Sequence, residues 1–187
     1  MSGTYRAVVI DAPGKAKFVE RPLPVPGPGE VLVKTAWQGV CATDLEVFEG
    51  TLGYYKSGTA KYPIVPGHEF SGTITATGHG FAAGESVVIE CIQGCGHCVS
   101  CLRDDAIACP QRREMGVMNL DGGYAEFVLA PARAVHRVPS GVSLRAASLA
   151  EPLAVVCKGL RRLTPAWGPE PEPRRVAVIG GGAIGTL

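Results

Sequence analysis

Four of the cysteines in the short stretch "CIQGCGHCVSCLRDDAIACP" follow the pattern C-x2-C-x2-C-x7-C. The four are Cys95, Cys98, Cys101 and Cys109. Two-residue gaps let a chain wrap around one tetrahedral ion, and closed structural zinc sites often use four thiolates. Gly94 and Gly96 allow the tight turns that aim successive sulfurs inward. The pattern therefore predicts a structural zinc site.

Two alternatives to zinc remain open at these cysteines. The run C-x2-C-x2-C with a following Cys-Pro also occurs in bacterial iron–sulfur proteins, but there the last gap is about three residues instead of the longer one found here. The other alternative is four thiols without a metal. The chain has seven cysteines, and an odd total does not suit a complete disulfide framework. Cys91 lies outside the spacing and His97 lies between two ligands, so neither is assigned to the metal.

Three separate stretches, "GVCATDLEVFEG", "VPGHEFSG" and "LAEPLAVV", each place a good metal ligand beside small residues or a turn. Cys41 offers a thiolate, His68 an imidazole and Glu151 a carboxylate. Three protein ligands with one open position are what a catalytic zinc requires, because the open position admits water or a substrate oxygen. Taken one by one, the same side chains could instead be a core thiol, a hydrogen-bonded histidine and a surface carboxylate. Spacing alone does not decide between these interpretations.

A glycine-rich turn follows the last apolar run, "RRVAVIGGGAIGTL", where Gly180, Gly182 and Gly185 match G-x-G-x-x-G. After a buried parallel strand, such a turn binds the pyrophosphate of a dinucleotide. The rest of that fingerprint is a full helix and an acidic residue about 20 positions further on, and this sequence contains neither. We therefore interpret residues 174–187 as the first strand and glycine turn of a truncated dinucleotide-binding domain. We expect these residues alone not to hold the cofactor.

Short runs rich in valine, isoleucine, threonine and aromatic residues, separated by glycine and proline, precede these features. They are "TYRAVVID", "KAKFVER", "GEVLVKTAW", "FSGTITATG", "ESVVIE" and "GYAEFVLAP". Many short strands favour a β-barrel or sandwich. Two short helices in tandem are predicted over "PSGVSLRAASLAEPLAVVCKGLRRL", with Ser143 as N-cap and Pro152 interrupting the helical pattern. The Pro-rich, acidic stretch "TPAWGPEPEP" indicates a linker at residues 164–173 and a first domain over residues 1–163.

Composition excludes several classes of function. Of 187 residues, 46% are apolar and 19% charged, which is typical of a globular protein. The net charge of +1 gives no electrostatic footprint for nucleic acid or an anionic membrane. No apolar run is long enough to cross a bilayer, and the N-terminal residues lack a signal-peptide pattern. We therefore expect a cytoplasmic protein with a small-molecule substrate.

The order of these motifs resembles that of zinc-dependent medium-chain alcohol dehydrogenases, in particular the polyol, threonine and glucose dehydrogenases. The motifs are "GVCATDL", "PGHEFSG", the four-cysteine lobe, "DGGYAEF", "AEPLAVV" and "VAVIGGGAIG", and together they span nearly the whole chain. The resemblance implies a mainly β fold with short helices: a GroES-like β-barrel catalytic domain with a zinc lobe at about residues 91–113. A Rossmann α/β domain would follow, of which the chain contains the first strand.

The resemblance also implies roles for individual residues. Cys41, His68 and Glu151 match the ligands of the catalytic zinc. Glu69 matches a residue that can approach that metal or replace a water bound to it. Asp44 matches a carboxylate that accepts the ring N–H of the ligand histidine and so fixes its tautomer.

Two further positions concern proton transfer. Thr43 matches the hydroxyl that takes the proton of the substrate alcohol. Many relatives carry a histidine three residues later that passes this proton to solvent, whereas this chain has Glu46 there. Either Glu46 or water would then be the acceptor. The local alternative for Thr43 and Asp44 is a capping role at the start of a helix in "ATDLEVF".

The implied reaction is the transfer of hydride from an alcohol, polyol or sugar to NAD or NADP, with zinc as the Lewis acid. Two zinc ions per chain are expected, one catalytic and one structural. The full-length parent is expected to be a homodimer or homotetramer, and the truncated chain to be inactive alone. The alternative is a non-catalytic zinc-binding GroES-like module that keeps its folding metal and transfers no hydride.

Overall fold

Strands dominate the part of the chain before residue 140. The structure, a computed structural model, describes residues 3–163 and 176–187. The strands of these residues are β1 (Thr4–Ala12), β2 (Lys15–Pro22), β3 (Glu30–Gln38), β4 (Phe70–Ile74), β5 (Ser86–Ile89), β6 (Ile92–Gln93), β7 (Arg113–Met115), β8 (Asn119–Leu120), β9 (Phe127–Pro131) and β10 (Val135–Arg137). All six runs expected as strands form strands, which confirms a mainly β fold.

These strands form a hairpin and two further sheets. β1 and β2 are an antiparallel hairpin, β10-β5-β4-β3-β9 is an antiparallel five-stranded sheet, and β6-β7-β8 is a small third sheet. The apolar sides of the strands meet in a core that includes the fully buried Val33, Val87, Met115 and Ala130. Strands that bury one face in this way are held in register by that face.

Two helices pack on a separate apolar cluster beside the barrel. They are α1 (Ala42–Glu49) and α2 (Gly53–Lys56). Val47 of α1 is fully buried against Ile10, Ile64 and Val117. Three aromatic residues that follow Cys41 in the sequence, Phe48, Tyr54 and Tyr55, also pack on this cluster. The start of α1, where Cys41 lies, is thereby fixed relative to the barrel.

The tandem helices are α3 (Leu144–Ala147) and α4 (Ala150–Leu163). Ser143 caps α3, because its hydroxyl accepts the Ala146 N–H at 3.1 Å. The predicted position of the break was wrong. It lies at residues 148–149, and Pro152 occupies the first turn of α4, where a missing N–H leaves no hydrogen bond unmade.

Among the described residues, no helix combines the length and apolar character needed to cross a membrane.

The strand expected in "RRVAVIG" is not formed by the described part of that segment. Val176–Gly180 belongs to no strand and is exposed, and residues 174 and 175 lie outside the described residues. A parallel strand exists only beside other strands of its sheet, and none of the described strands pairs with it. The glycine turn is formed, since Gly180 has a φ of 104° and α5 (Ala183–Thr186) starts directly after Gly182. A Cβ at Gly185 would come within 2.0 Å of the Gly180 carbonyl oxygen.

Candidate metal sites

The first site is built on the N-terminus of α1. Cys41 is the N-cap residue, and the Asp44 carboxylate turns back to accept the Cys41 N–H at Oδ2, 2.9 Å away. An acidic side chain at this position satisfies a helix N–H that lacks a partner and complements the helix dipole. The capping alternative for Asp44 therefore holds, and it also fixes the backbone from which the Cys41 thiol projects. Thr43 lies half-buried in the same turn, and the Glu46 side chain is exposed.

His68 and Glu69 lie in the loop that enters β4. Glycines allow the close backbone packing of this loop. A Cβ at Gly122 would lie 2.0 Å from the Gly67 carbonyl oxygen, and one at Gly116 would lie 2.3 Å from the same atom. On the other side, a Cβ at Gly39 would lie 2.5 Å from Glu69 Oε2. Larger residues at these positions would displace the loop that carries both side chains.

The fold brings three potential ligands together. One ligand atom from each of Cys41, His68 and Glu69 lies within 4.8 Å of those of the other two. Glu151, in the first turn of α4, is not part of this group. Its half-buried carboxylate is close enough to raise the pKa of His68. The structure therefore places Glu69 with the thiol and the imidazole, and Glu151 nearby.

The orientation of His68 follows from Asp44. His68 Nδ1 and Asp44 Oδ1 are 3.5 Å apart, both buried, and neither has another hydrogen-bond partner. With Nδ1 facing a carboxylate, Nε2 is the ring nitrogen left for a metal ion. Burial lowers the pKa of His68, but Asp44, Cys41 and Glu151 outweigh this effect and raise it to about 9. The negative groups that raise this pKa would also favour a metal cation, and a thiol, an imidazole and a carboxylate within 4.8 Å of one another are a donor set that fits zinc.

The second site contains the four cysteines of the lobe. The Sγ atoms of Cys95, Cys98, Cys101 and Cys109 all lie within 4.8 Å of one another. Backbone N–H groups point at three of the sulfurs, with N···S distances of 3.3–3.5 Å. A Cβ at Gly94 would lie 2.4 Å from Cys101 Sγ, and Gly96 has a φ of 83°, which accounts for both glycines.

The ionisation of these cysteines also favours a cation. Backbone N–H groups, that of His97 first, lower the pKa of Cys95 to about 6. At Cys101 a backbone N–H from Gly96 acts in the same direction, but burial and the neighbouring thiols outweigh it and raise the pKa to about 11. Four sulfurs this close cannot all be thiolates without a positive ion between them. The donor set fits a closed tetrahedral zinc site.

The two residues excluded from the lobe site contribute no ligand atom to its cluster of sulfurs. The Cys91 thiol is directed at the Met115 carbonyl oxygen, 3.8 Å away, and burial raises its pKa. The exposed His97 ring has Nδ1 3.1 Å from the Cys95 carbonyl oxygen. Arg133 holds the base of the lobe, because it donates to the Gly94 carbonyl oxygen at 2.6 Å.

One residue beside the first site was not singled out from the sequence. The hydroxyl of Tyr124 is 3.3 Å from Asp44 Oδ2 and 3.4 Å from the Gly39 carbonyl oxygen. Tyr124 belongs to "DGGYAEF", a motif noted for its resemblance and not for any chemistry. Only the fold brings this tyrosine to Asp44, which is 80 positions earlier in the chain.

The family is decided by residues 27–140, which match the family model of the alcohol dehydrogenase GroES-like domain. The chain belongs to this family. This match confirms the GroES-like fold that the motifs indicate and the resemblance to zinc-dependent medium-chain alcohol dehydrogenases.

Dehydrogenases resemble the chain over most of its length. A sorbitol dehydrogenase of Halalkalibacterium halodurans is 34% identical over 188 residues, which are 97% of this chain and 51% of the relative. Galactitol-1-phosphate dehydrogenase from Escherichia coli has a TM-score of 0.77 at 32% identity, over 96% of this chain and 50% of that one. A short chain alcohol dehydrogenase from Escherichia coli CFT073, in complex with NADH, has a TM-score of 0.77 at 30% identity, over 86% and 46%. The chain thus spans about half the length of these relatives.

Proposed function

We propose that the chain is the catalytic-domain part of a zinc-dependent dehydrogenase that transfers hydride from an alcohol, polyol or sugar to NAD or NADP. The observation that carries this proposal is the convergence of Cys41, His68 and Glu69 on one point, with Asp44 behind His68. Sorbitol and galactitol-1-phosphate dehydrogenases among the relatives support a polyol or sugar substrate, and a relative in complex with NADH supports the cofactor class.

The chemistry divides between the bound groups and the residues of the chain. When bound, zinc would act as a Lewis acid that lowers the pKa of a hydroxyl, as it lowers that of water to about 7, and the nicotinamide would be the hydride acceptor. Thr43 Oγ1 accepts the hydroxyl proton of the substrate and at the same time gives up the proton of its own hydroxyl. Glu46, three residues further along α1 and exposed, is the acceptor that leads to solvent. The substrate loses one proton and one hydride, which balances its oxidation to a carbonyl compound.

Four side chains that can carry a negative charge lie near His68: Cys41, Asp44, Glu69 and Glu151. Cys41 and His68 would hold the metal from α1 and from the loop before β4. Glu69 is already within reach of both, and Glu151 acts as the further ligand from α4. Burial, more than any nearby charge, raises the pKa of Glu151, and the neighbouring carboxylates Glu69, Asp44 and Glu114 add to this effect, whereas His68 opposes it. A bound divalent cation would relieve the repulsion between these carboxylates.

Further parts of the proposal concern the whole protein. The cysteine lobe holds a structural zinc that stabilises the fold. We propose residues 1–163 as the catalytic domain and residues 174–187 as the start of the cofactor domain, with Gly180, Gly182 and Gly185 at the pyrophosphate. The linker proposed at residues 164–173 lies outside the described residues. A cytoplasmic homodimer or homotetramer is the proposed state of the full-length protein.

Zinc stoichiometry tests the metal sites directly. We expect two zinc ions per chain in the wild type and one in Cys41→Ala, with an unchanged far-UV circular dichroism spectrum. Cys157→Ala is the matched control, because Cys157 is an exposed thiol outside both clusters. In the full-length protein, Cys41→Ala should abolish NAD(P)H formation in a screen of sugars, polyols and amino alcohols.

The same measurements separate the proposal from its alternative. A full-length wild-type protein that binds two zinc ions but forms no NAD(P)H with any alcohol would be a non-catalytic zinc-binding module. Normal turnover in Cys41→Ala would exclude the proposed catalytic ligand. Less than one zinc per chain in the wild type would contradict both metal sites.

A further inference from the structure

Tyr124 is placed to control the carboxylate behind His68. It lies between β8 and β9, and its backbone is held on both sides. The Tyr124 N–H donates to the Pro66 carbonyl oxygen at 3.0 Å, and its own carbonyl oxygen accepts the Val8 N–H at 2.8 Å. The ring lies against the loop that carries His68, since a Cβ at Gly67 would be 3.0 Å from Tyr124 Cδ2. A side chain anchored in this way can act as a fixed hydrogen-bond donor.

The two oxygens of Asp44 have different partners. Oδ2 accepts the Cys41 N–H at 2.9 Å and lies 3.3 Å from the Tyr124 hydroxyl. Oδ1 faces His68 Nδ1 at 3.5 Å and has no other partner. Rotation of the carboxylate about its terminal bond would therefore break both contacts of Oδ2 and turn Oδ1 away from His68. Two donors on Oδ2 resist this rotation better than one.

Tyr124 can also serve as a donor over the whole ordinary pH range. Burial raises the pKa of its phenol, and the negative charge of Asp44 raises it further. The hydroxyl is shared between Asp44 Oδ2 and the neutral Gly39 carbonyl oxygen. A charged acceptor makes the stronger hydrogen bond, which favours Asp44.

We propose that Tyr124 is a positioning residue of the first metal site: acting through Asp44, it holds His68 in the tautomer and orientation that leave Nε2 for the metal. This inference rests on the proposed zinc site at Cys41 and His68. A tyrosine that serves only the core would stabilise the fold without affecting metal affinity at that site.

The test is metal affinity in the 187-residue chain, measured with Co²⁺ by chelator competition and by visible absorption. Tyr124→Phe removes one hydroxyl. Tyr55→Phe is the matched control, because it also removes a hydroxyl bonded to a backbone carbonyl, that of Val117 at 3.1 Å, in the α2 cluster. Loss of a partner behind a metal ligand weakens binding by about 10–100-fold. Tyr124 is one contact further from the metal than Asp44, so we expect Tyr124→Phe to weaken cobalt binding at the first site by about 3–10-fold and to change the cobalt spectrum. The cysteine lobe should be unaffected.

A double-mutant cycle separates positioning from general stabilisation. Asp44→Asn keeps one oxygen for the Cys41 N–H and the Tyr124 hydroxyl, but it replaces the oxygen that faces His68 Nδ1 by an N–H₂ group, which cannot accept the ring N–H. If Tyr124 acts through Asp44, Tyr124→Phe should cause less than about a twofold further change in the Asp44→Asn background, because coupled residues are non-additive. Equal effects of Tyr124→Phe with and without Asp44→Asn would overturn the inference, as would a Tyr124→Phe affinity equal to that of Tyr55→Phe.

The binding phase that disappears in Cys41→Ala identifies the first site in these titrations. If the wild type has that phase and Tyr124→Phe leaves it unchanged, the inference is wrong and the proposed zinc site stands. If the wild type has no such phase, the proposed site and the inference are both wrong.

Discussion

At the scale of single residues, glycines determine how closely the loop carrying His68 approaches the barrel. Gly122 has the least room for a side chain, because a Cβ there would lie 2.0 Å from the Gly67 carbonyl oxygen. We expect Gly122→Ala to lower the free energy of unfolding by about 1–3 kcal/mol, the usual cost of overpacking, and to weaken metal binding at the first site. Urea denaturation and cobalt titration measure the two effects. Gly78→Ala is the control, since nothing lies within 4 Å of its Cβ position and it should be nearly neutral.

The residues of both proposed metal sites could be selected from the sequence because their chemistry is visible there, and the structure brings the chosen ligand atoms together except for Glu151. Cys95, Cys98, Cys101 and Cys109 follow a local spacing that a tetrahedral ion can bridge, and the fold brings them together. The residues Cys41, His68 and Glu69 are far apart in the sequence, and only the resemblance of the motif order to the family indicated that they form one site. Tyr124 had no such signal, since a tyrosine in a β segment is ordinary and its contact with Asp44 depends on the fold.

At the scale of elements, we expect the stability of the cysteine lobe to depend on the proposed zinc. Within the lobe, strand pairing is limited to short β6 and β7, and the rest is turns and two 3₁₀ segments, Cys101–Arg103 and Ala106–Ala108. A structural zinc would therefore supply much of the folding free energy of the lobe. We expect Cys98→Ala to lose one zinc. If its zinc affinity falls 100-fold, the free energy of unfolding at saturating metal falls by about 2.7 kcal/mol. Calorimetry and zinc analysis measure this.

The matched control for the lobe is Cys157→Ala, at an exposed thiol on α4. It should change neither zinc content nor the melting temperature appreciably. Equal melting temperatures for Cys98→Ala and the wild type would show that the lobe does not need its metal for stability. Unlike Cys41→Ala, Cys98→Ala should affect stability before activity.

Strands were easier to predict from the sequence than helix limits. Each of the six β runs carries apolar residues that enter a core, so tertiary packing agrees with local preference. At Pro152 the local rule was misapplied, because proline breaks a helix interior but is tolerated in the first turn. Val176–Gly180 has strong strand preference and yet forms no strand, because a parallel strand needs neighbours that the described residues do not provide.

At the scale of the whole molecule, the β1–β2 hairpin is joined to the segment before β9 through Glu126. Its carboxylate accepts the Arg6 N–H at 2.7 Å and pairs with the Arg6 guanidinium at 2.8 Å. The Arg6 side chain, followed by the Arg6 backbone N–H, lowers the pKa of Glu126 below its ordinary value of 4.5. A group with a lowered folded-state pKa stabilises the fold above its unfolded-state pKa, and this contribution is lost as the pH falls through the folded-state value.

We therefore expect Glu126→Gln to lower the urea midpoint at pH 7, and this difference from the wild type to shrink as the pH falls from about 4.5 toward 3. Acid also releases metal ions, but it does so from both proteins, so the difference isolates Glu126. Glu49→Gln, at an exposed carboxylate at the end of α1, should differ from the wild type equally little at both pH values. If the difference in urea midpoint between Glu126→Gln and the wild type stayed constant down to pH 3, the Arg6–Glu126 contact would stabilise the fold independently of the charge of Glu126.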